Sequence, residues 1–93
     1  MSIDVVYKII GTAERAFVTY QNKDGGTEQT EVDIPWEEKL SSVRDWAFLY
    51  VSAQAKGNNG SVTCEIWVDG KKWKSNTSSG AYVIATCCGS AER

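Results

Sequence analysis

Ser61-Val62-Thr63-Cys64-Glu65-Ile66-Trp67-Val68-Asp69-Gly70 alternates apolar with small or polar side chains and then reverses. Val62, Cys64, Ile66 and Val68 fall on one face and Thr63, Glu65 and Trp67 on the other, the period of two that a half-buried strand shows. Asp69-Gly70 provides the backbone of a tight hairpin and returns the chain through Lys71 to Ser75. The same rhythm extends outward from this hairpin. Trp46 to Ala55 sets Trp46, Phe48 and Tyr50 on one side and Ala47, Leu49, Val51 and Ala53 on the other. A strand apolar on both faces is expected to be central or covered.

Toward the N-terminus, Ile3 to Ile10 places Ile3, Val5, Tyr7 and Ile9 together and stops at Gly11. Ala16 to Gln21 groups Ala16, Val18 and Tyr20, then meets Asn22-Lys23-Asp24-Gly25-Gly26, whose Asp-Gly and Gly-Gly steps suit a hairpin. In Thr27 to Ile34, Val32 and Ile34 are expected inside, with Glu31 and Asp33 in water. Pro35 ends or offsets that strand because it has no N–H to donate. Trp36 to Arg44 is harder to read: Glu37-Glu38-Lys39 suits a helical turn, but Lys39 to Val43 alternates and predicts a short edge strand. Lys56 to Gly60 and Asn76 to Gly80 read as loops, and Ala81 to Cys88 as the last strand.

Seven to eight short antiparallel strands in 93 residues predict an all-β, immunoglobulin-like two-layer sandwich filling one domain over 1–93, with a small barrel as the alternative. No stretch has the apolar repeat of a long helix. An apolar content of 42% excludes intrinsic disorder, and the absence of His removes imidazole-based catalysis, the usual zinc sites and imidazole pH switching. A pI near 5.0 with interspersed signs argues against nucleic acid as a partner. No run approaches the ~20 apolar residues of a membrane span. Asp4 and Lys8 interrupt Met1 to Ile10, so that segment does not read as a signal peptide.

Cys64, Cys87 and Cys88 allow three readings. A Cys64–Cys87 bridge would be a staple, with Cys87 on the face of Val83 and Ala85 and Cys88 left as the odd thiol. All three would be reduced thiols in a cytosolic protein, with Cys64 as core filler. Metal binding or catalysis is the weakest, because adjacent strand residues point apart and no ordinary base is present to activate a thiol. No cofactor is expected.

Among the aromatics, Trp67 and Trp73 lie across the Asp69-Gly70 hairpin, Trp73 between Lys72 and Lys74. They suit either a cross-strand pair covered by lysine stems or, with Tyr82, a surface that stacks sugar, seats lipid or anchors a protein. Trp36 and Trp46 are expected at core or edge positions. Glu37 and Glu38 form a solvated turn rather than an acid/base pair, and Asn59-Gly60-Ser61 and Asn76-Thr77-Ser78 match the glycan acceptor pattern.

Runs spread in order along the chain resemble the soluble domain of the mycobacterial MmpS family of transport accessory proteins. They are Val18-Thr19-Tyr20, Gly25 to Gln29, Pro35-Trp36, Ala47-Phe48-Leu49, Ser52-Ala53-Gln54, Gly60 to Cys64, Ile66 with Val68 to Lys71, and Asn76 to Gly80 with Tyr82 and Ala85-Thr86-Cys87. The resemblance implies an extracytoplasmic β-sandwich (periplasm or cell envelope) beside a lipid or siderophore exporter, with the family's paired cysteines at Cys64 and Cys87. This sequence departs from the family in lacking the N-terminal anchor, in the additional Cys88 and in the aromatic Trp67 and Lys72-Trp73-Lys74 surface; without an anchor or signal the location would be cytoplasmic.

Two functions follow. The first is a non-catalytic accessory or adaptor domain that docks on a membrane transporter or another protein through a sheet face or edge. The second is a module binding lipid or carbohydrate on Trp67, Trp73 and Tyr82, with Lys72 and Lys74 alongside. An enzyme ranks third.

Overall fold

A computed structural model describes residues 2–57 and 60–91. Eight strands follow one another: β1 (Ser2–Ile10), β2 (Arg15–Gln21), β3 (Thr27–Asp33), β4 (Trp36–Arg44), β5 (Phe48–Lys56), β6 (Ser61–Val68), β7 (Lys71–Ser79) and β8 (Ile84–Ser90). They form two sheets of four, ordered β4-β1-β6-β7 and β3-β2-β5-β8, with every pairing antiparallel. Only the β2–β3 and β6–β7 connections stay within a sheet; the others pass between layers, as the two-layer sandwich expected from the sequence requires.

The alternating residues meet between the layers. Ile3, Val5, Tyr7 and Ile9 of β1 face Ala16 and Val18 of β2, Leu49, Val51, Ala53 and Ala55 of β5 and Ala85 of β8 across an apolar interior that also takes in Val62, Cys64 and Ile66. Burial of each large member contributes roughly 1.5–3 kcal/mol relative to exposure. Side-chain size shapes the interior as a wedge. Cα atoms of β6 come within 8 Å of β5 and β8, where alanines and the Cys64–Cys87 disulfide take little room. On the β3–β4 side the space holds aromatics: Tyr7 packs on Tyr20 at 5.7 Å between ring centres, and Tyr20 on Trp36 at 5.6 Å. The buried Tyr7 hydroxyl donates to the Gln21 carbonyl at 2.7 Å.

Several expectations need correction. Trp46 is not in a strand; it occupies the β4–β5 turn with φ 70° and is 62% exposed, so it fills neither core nor edge. The β5 strand is central in its sheet, between β2 and β8, as expected, and its Phe48 side faces outward. The edge strand expected in the Trp36–Arg44 segment does form, and it runs nine residues without a helical turn because Ile9 to Ser2 of β1 offers a partner along its whole length. Asn76 to Ser79 belongs to β7 rather than to a loop. Pairing with Cys64 to Ser61 outweighs the weak strand propensity of these polar residues. Ala81 to Val83 precedes β8 instead of opening it, and Tyr82 turns the chain at φ 52°. The Asn59 sequon lies outside the described residues.

Two devices protect the edge of β8. Asn76 Nδ2 and Ser78 Oγ of β7 donate to the Thr86 and Ile84 carbonyls at 3.2 and 2.8 Å, occupying acceptors that would otherwise invite another strand. Further along, Trp73 lies over Gly89. A Cβ at position 89 would stand 2.7 Å from the indole ring, so only glycine lets the indole pack there.

Candidate docking surface

The outer face of the β3-β2-β5-β8 sheet collects apolar side chains that the interior does not use. In β2, β5 and β8 the inward positions are Ala16 and Val18, then Leu49, Val51, Ala53 and Ala55, then Ala85 and Cys87; the intervening residues point away. Cross-strand register then builds rows on the outside. Phe17, Gln54 and Ile84 form one row, Thr19, Ser52 and Thr86 the next, followed by Tyr50 with Cys88 and Phe48 with Ser90. Phe17 is 49% exposed, Ile84 54% and Phe48 47%. Tyr82, 60% exposed, adjoins the first row through its carbonyl, which accepts from Gln54 Nε2 at 3.4 Å. Phe48 and Tyr50 stand 6.5 Å apart ring to ring. Between these rows β5 and β8 carry no charge until Lys56.

Charge is confined to one end of this face. Glu31 receives Arg15 Nε at 3.0 Å and Lys56 Nζ at 3.1 Å, and Arg15 also pairs with Asp33. Hydrogen bonds from Lys56 and then Arg15 hold the Glu31 carboxyl below its ordinary value. The Lys56 ammonium also lies 4.8 Å from the Phe17 ring centre, so the cations edge the apolar row without interrupting it.

On the opposite outer face, β4-β1-β6-β7, polar contacts gather around Glu65 and Trp67. Trp67 Nε1 donates to Glu65 at 2.8 Å, Lys72 approaches the same carboxylate at 3.7 Å, and Lys8 lies 4.4 Å over the Trp67 ring. Glu65 is only 7% exposed, a buried charge met by a hydrogen bond and a cation. Thr63 and Thr77 hydroxyls add a 2.7 Å bond across β6 and β7.

The structure therefore separates the aromatic surface expected at the β6–β7 hairpin. The register shift between Ile66 and Trp67 leaves Trp73 as an extra, unpaired residue between Lys72 and Lys74. That bulge turns Trp73 toward Gly89 of the other sheet while Trp67 stays on the outer face, so the two do not form a cross-strand pair. Lys72 follows Trp67, and Lys74 lies 4.8 Å over the Trp73 ring. Tyr82 is at the β7–β8 turn, beside Gln54 and Ile84. Cys64 and Cys87 are bonded, with Cα atoms 6.1 Å apart, and Cys88 is an exposed free thiol opposite Tyr50.

Phe17 and Ile84 were not singled out from the sequence as surface residues, although the signal was present. Once Ala16 and Val18 point inward, Phe17 must point outward, and Ala85 with Cys87 does the same for Ile84. Two hollows complete the surface. One, of about 360 Å³, lies among Lys8, Ile10, Pro35, Trp36 and Glu37, and another, of about 380 Å³, between the β2–β3 hairpin and the β4–β5 turn. No group of three or more metal-ligating side chains occurs among the described residues.

Residues 2–91 match the family model described as Mycobacterium membrane protein. The chain belongs to that family. The match covers nearly the whole chain and agrees with the resemblance to MmpS proteins, and no curated protein matches it. Family members are membrane proteins by description, while no helix among the described residues is long and apolar enough to cross a bilayer.

Proposed function

We propose that this member of the Mycobacterium membrane protein family is a non-catalytic, extracytoplasmic accessory domain. It docks on a membrane-embedded transport protein through the outer face of the β3-β2-β5-β8 sheet. One observation carries the reading: Phe17, Phe48 and Ile84 stand roughly half exposed on that face, with Trp46 and Tyr82 at its ends, while on the opposite face Trp67 is engaged by Glu65 and Lys8. A contiguous uncharged face with protruding aromatics has the composition of an interface core, and its rim of Arg15, Lys56 and Glu31 supplies polar closure.

The disulfide supports the compartment, since such bonds persist in oxidising surroundings. It also occupies two of the three thiols, and the remaining Cys88 has no imidazole base available to activate it. Membership of a membrane protein family supports the neighbourhood of the partner.

A photo-crosslinking residue placed at Phe17 or Ile84 tests the reading, with Glu28 on the β3 edge as control. In native membranes the first two positions are expected to capture one and the same integral membrane protein, and position 28 to capture none. Identical products from all three positions, or no product at 17 and 84, would refute this docking face.

A further inference from the structure

The end of the sandwich that carries the β2–β3 hairpin and the β4–β5 turn holds features beyond the sheet face itself. Trp46, the most exposed of the large apolar residues, is fixed in the left-handed backbone region at φ 70°. That conformation is costly for a bulky residue and persists only where its surroundings impose it. Here the Trp46 N–H is held by the Ala91 carbonyl at 2.8 Å and the Asp45 carboxylate at 3.1 Å. The fold thus spends a strained residue to keep an indole in water.

Beside it opens the hollow of about 380 Å³, lined by Gln21, Lys23, Asp24, Arg44, Ala47 and Phe48 among others. Arg15, Lys56 and Lys72 each pair with a carboxylate, whereas Lys23 and Arg44 have no ion-pair partner among the described residues. Two unengaged cations in one concavity suit a phosphate, which accepts from both. Lys23 and Arg44 are offset by Asp24 and Asp45, so the local charge is zero and a purely anionic ligand gains no wider attraction. A ligand carrying a phosphate and an ammonium matches both signs. The exposed indole and phenyl beside such a site have the amphipathic character that places aromatic rings at membrane–water interfaces.

We propose that this hollow receives the headgroup of a zwitterionic phospholipid, phosphatidylethanolamine being the probe. Lys23 and Arg44 hold the phosphate, Asp24 meets the ammonium, and Trp46 with Phe48 enters the interfacial layer alongside. Phe48 and Trp46 also border the docking face, whereas Phe17 and Ile84 take no part here, so crosslinking at positions 17 and 84 and flotation of the Lys23/Arg44 variant test the two readings separately.

Flotation with phosphatidylethanolamine/phosphatidylcholine vesicles tests it against phosphate-free galactolipid vesicles and soluble glycerophosphoethanolamine. The wild type is expected to float with the phospholipid and far less with the galactolipid. Lys23→Gln with Arg44→Gln, both exposed and no threat to folding, should weaken phospholipid binding about tenfold or more, since each cation gives up a charge-assisted hydrogen bond to the phosphate. Trp46→Ser with Phe48→Ser should abolish flotation while soluble glycerophosphoethanolamine still shifts the Lys23 and Gly25 amide resonances. Equal binding to both lipids, or an unchanged Lys23/Arg44 double variant, overturns the proposal. Headgroup shifts without vesicle binding by the wild type overturn its membrane source and assign the hollow to a soluble phosphate compound.

Discussion

Reducing the Cys64–Cys87 bond perturbs one feature while leaving every side-chain atom in place but the two added hydrogens. The bond spans a sequence separation of 23 and ties β6 to β8 where the two sheets approach most closely. In the chain-entropy treatment, a loop of that length restrains the unfolded state by about 3.4 kcal/mol at 25 °C. Unfolding entropy near 2.1 cal/mol/K per residue gives roughly 0.2 kcal/mol/K for 93 residues, so the melting temperature should fall by about 17 °C. Differential scanning calorimetry with and without a phosphine reductant reads this directly, with Cys88→Ser protein used to exclude disulfide exchange. Replacing both bonded cysteines by alanine should lower the midpoint further, because Cys64 is 0% and Cys87 4% exposed and a cavity forms between the sheets. A fall of less than about 5 °C on reduction would refute the reasoning, since the staple would then not be restraining a freely sampling chain.

Two further outcomes follow from the interior. Burial pushes the Tyr7 phenol up to about 12, with the backbone amide of Tyr50 working in the other direction. An unfolded tyrosine loses its proton near 10, so below pH 10 this difference leaves stability intact; between pH 10 and about 12 the unfolded state binds fewer protons and stability declines by up to about 2.7 kcal/mol. Denaturant midpoints of wild type and Tyr7→Phe across that range should converge as pH rises, and parallel curves would contradict the assignment. Gly89→Ala should cost roughly 1–3 kcal/mol, because its methyl would meet the Trp73 ring at 2.7 Å. Trp73→Leu should remove most of that penalty in a double-mutant cycle, whereas simple additivity would show that the ring is not the obstacle.

Much of the fold was legible because period-two alternation and turn residues act locally. The inward sets of β1, β2, β5 and β6 follow from counting alternate residues, and Asn22 to Gly26 and Asp69-Gly70 turn where their composition directs. What escaped was decided by partners distant in sequence. Asn76 to Ser79 has little strand propensity of its own, yet pairs with β6 and caps the β8 carbonyls. The bulge at Trp73 breaks the alternation that had placed this residue beside Trp67, and its cause, a glycine in the opposite sheet, lies sixteen residues away. Phe17 and Ile84 were readable as outward residues, but not as members of one row; their meeting through Gln54 depends on strand order.

The free thiol offers the most direct test of the central claim, that the outer face of the β3-β2-β5-β8 sheet meets a membrane-embedded partner. Cys88 lies in that face opposite Tyr50 and is exposed, so its rate of maleimide labelling reports whether the face is covered. Native membranes should slow labelling by about tenfold or more, while protein-free vesicles of the same lipids leave it near the solution rate. A cysteine at Lys39 on the β4 edge, in a Cys88→Ser background, should react at the solution rate under both conditions. An unprotected Cys88 in native membranes, with protection at position 39 instead, would contradict the account.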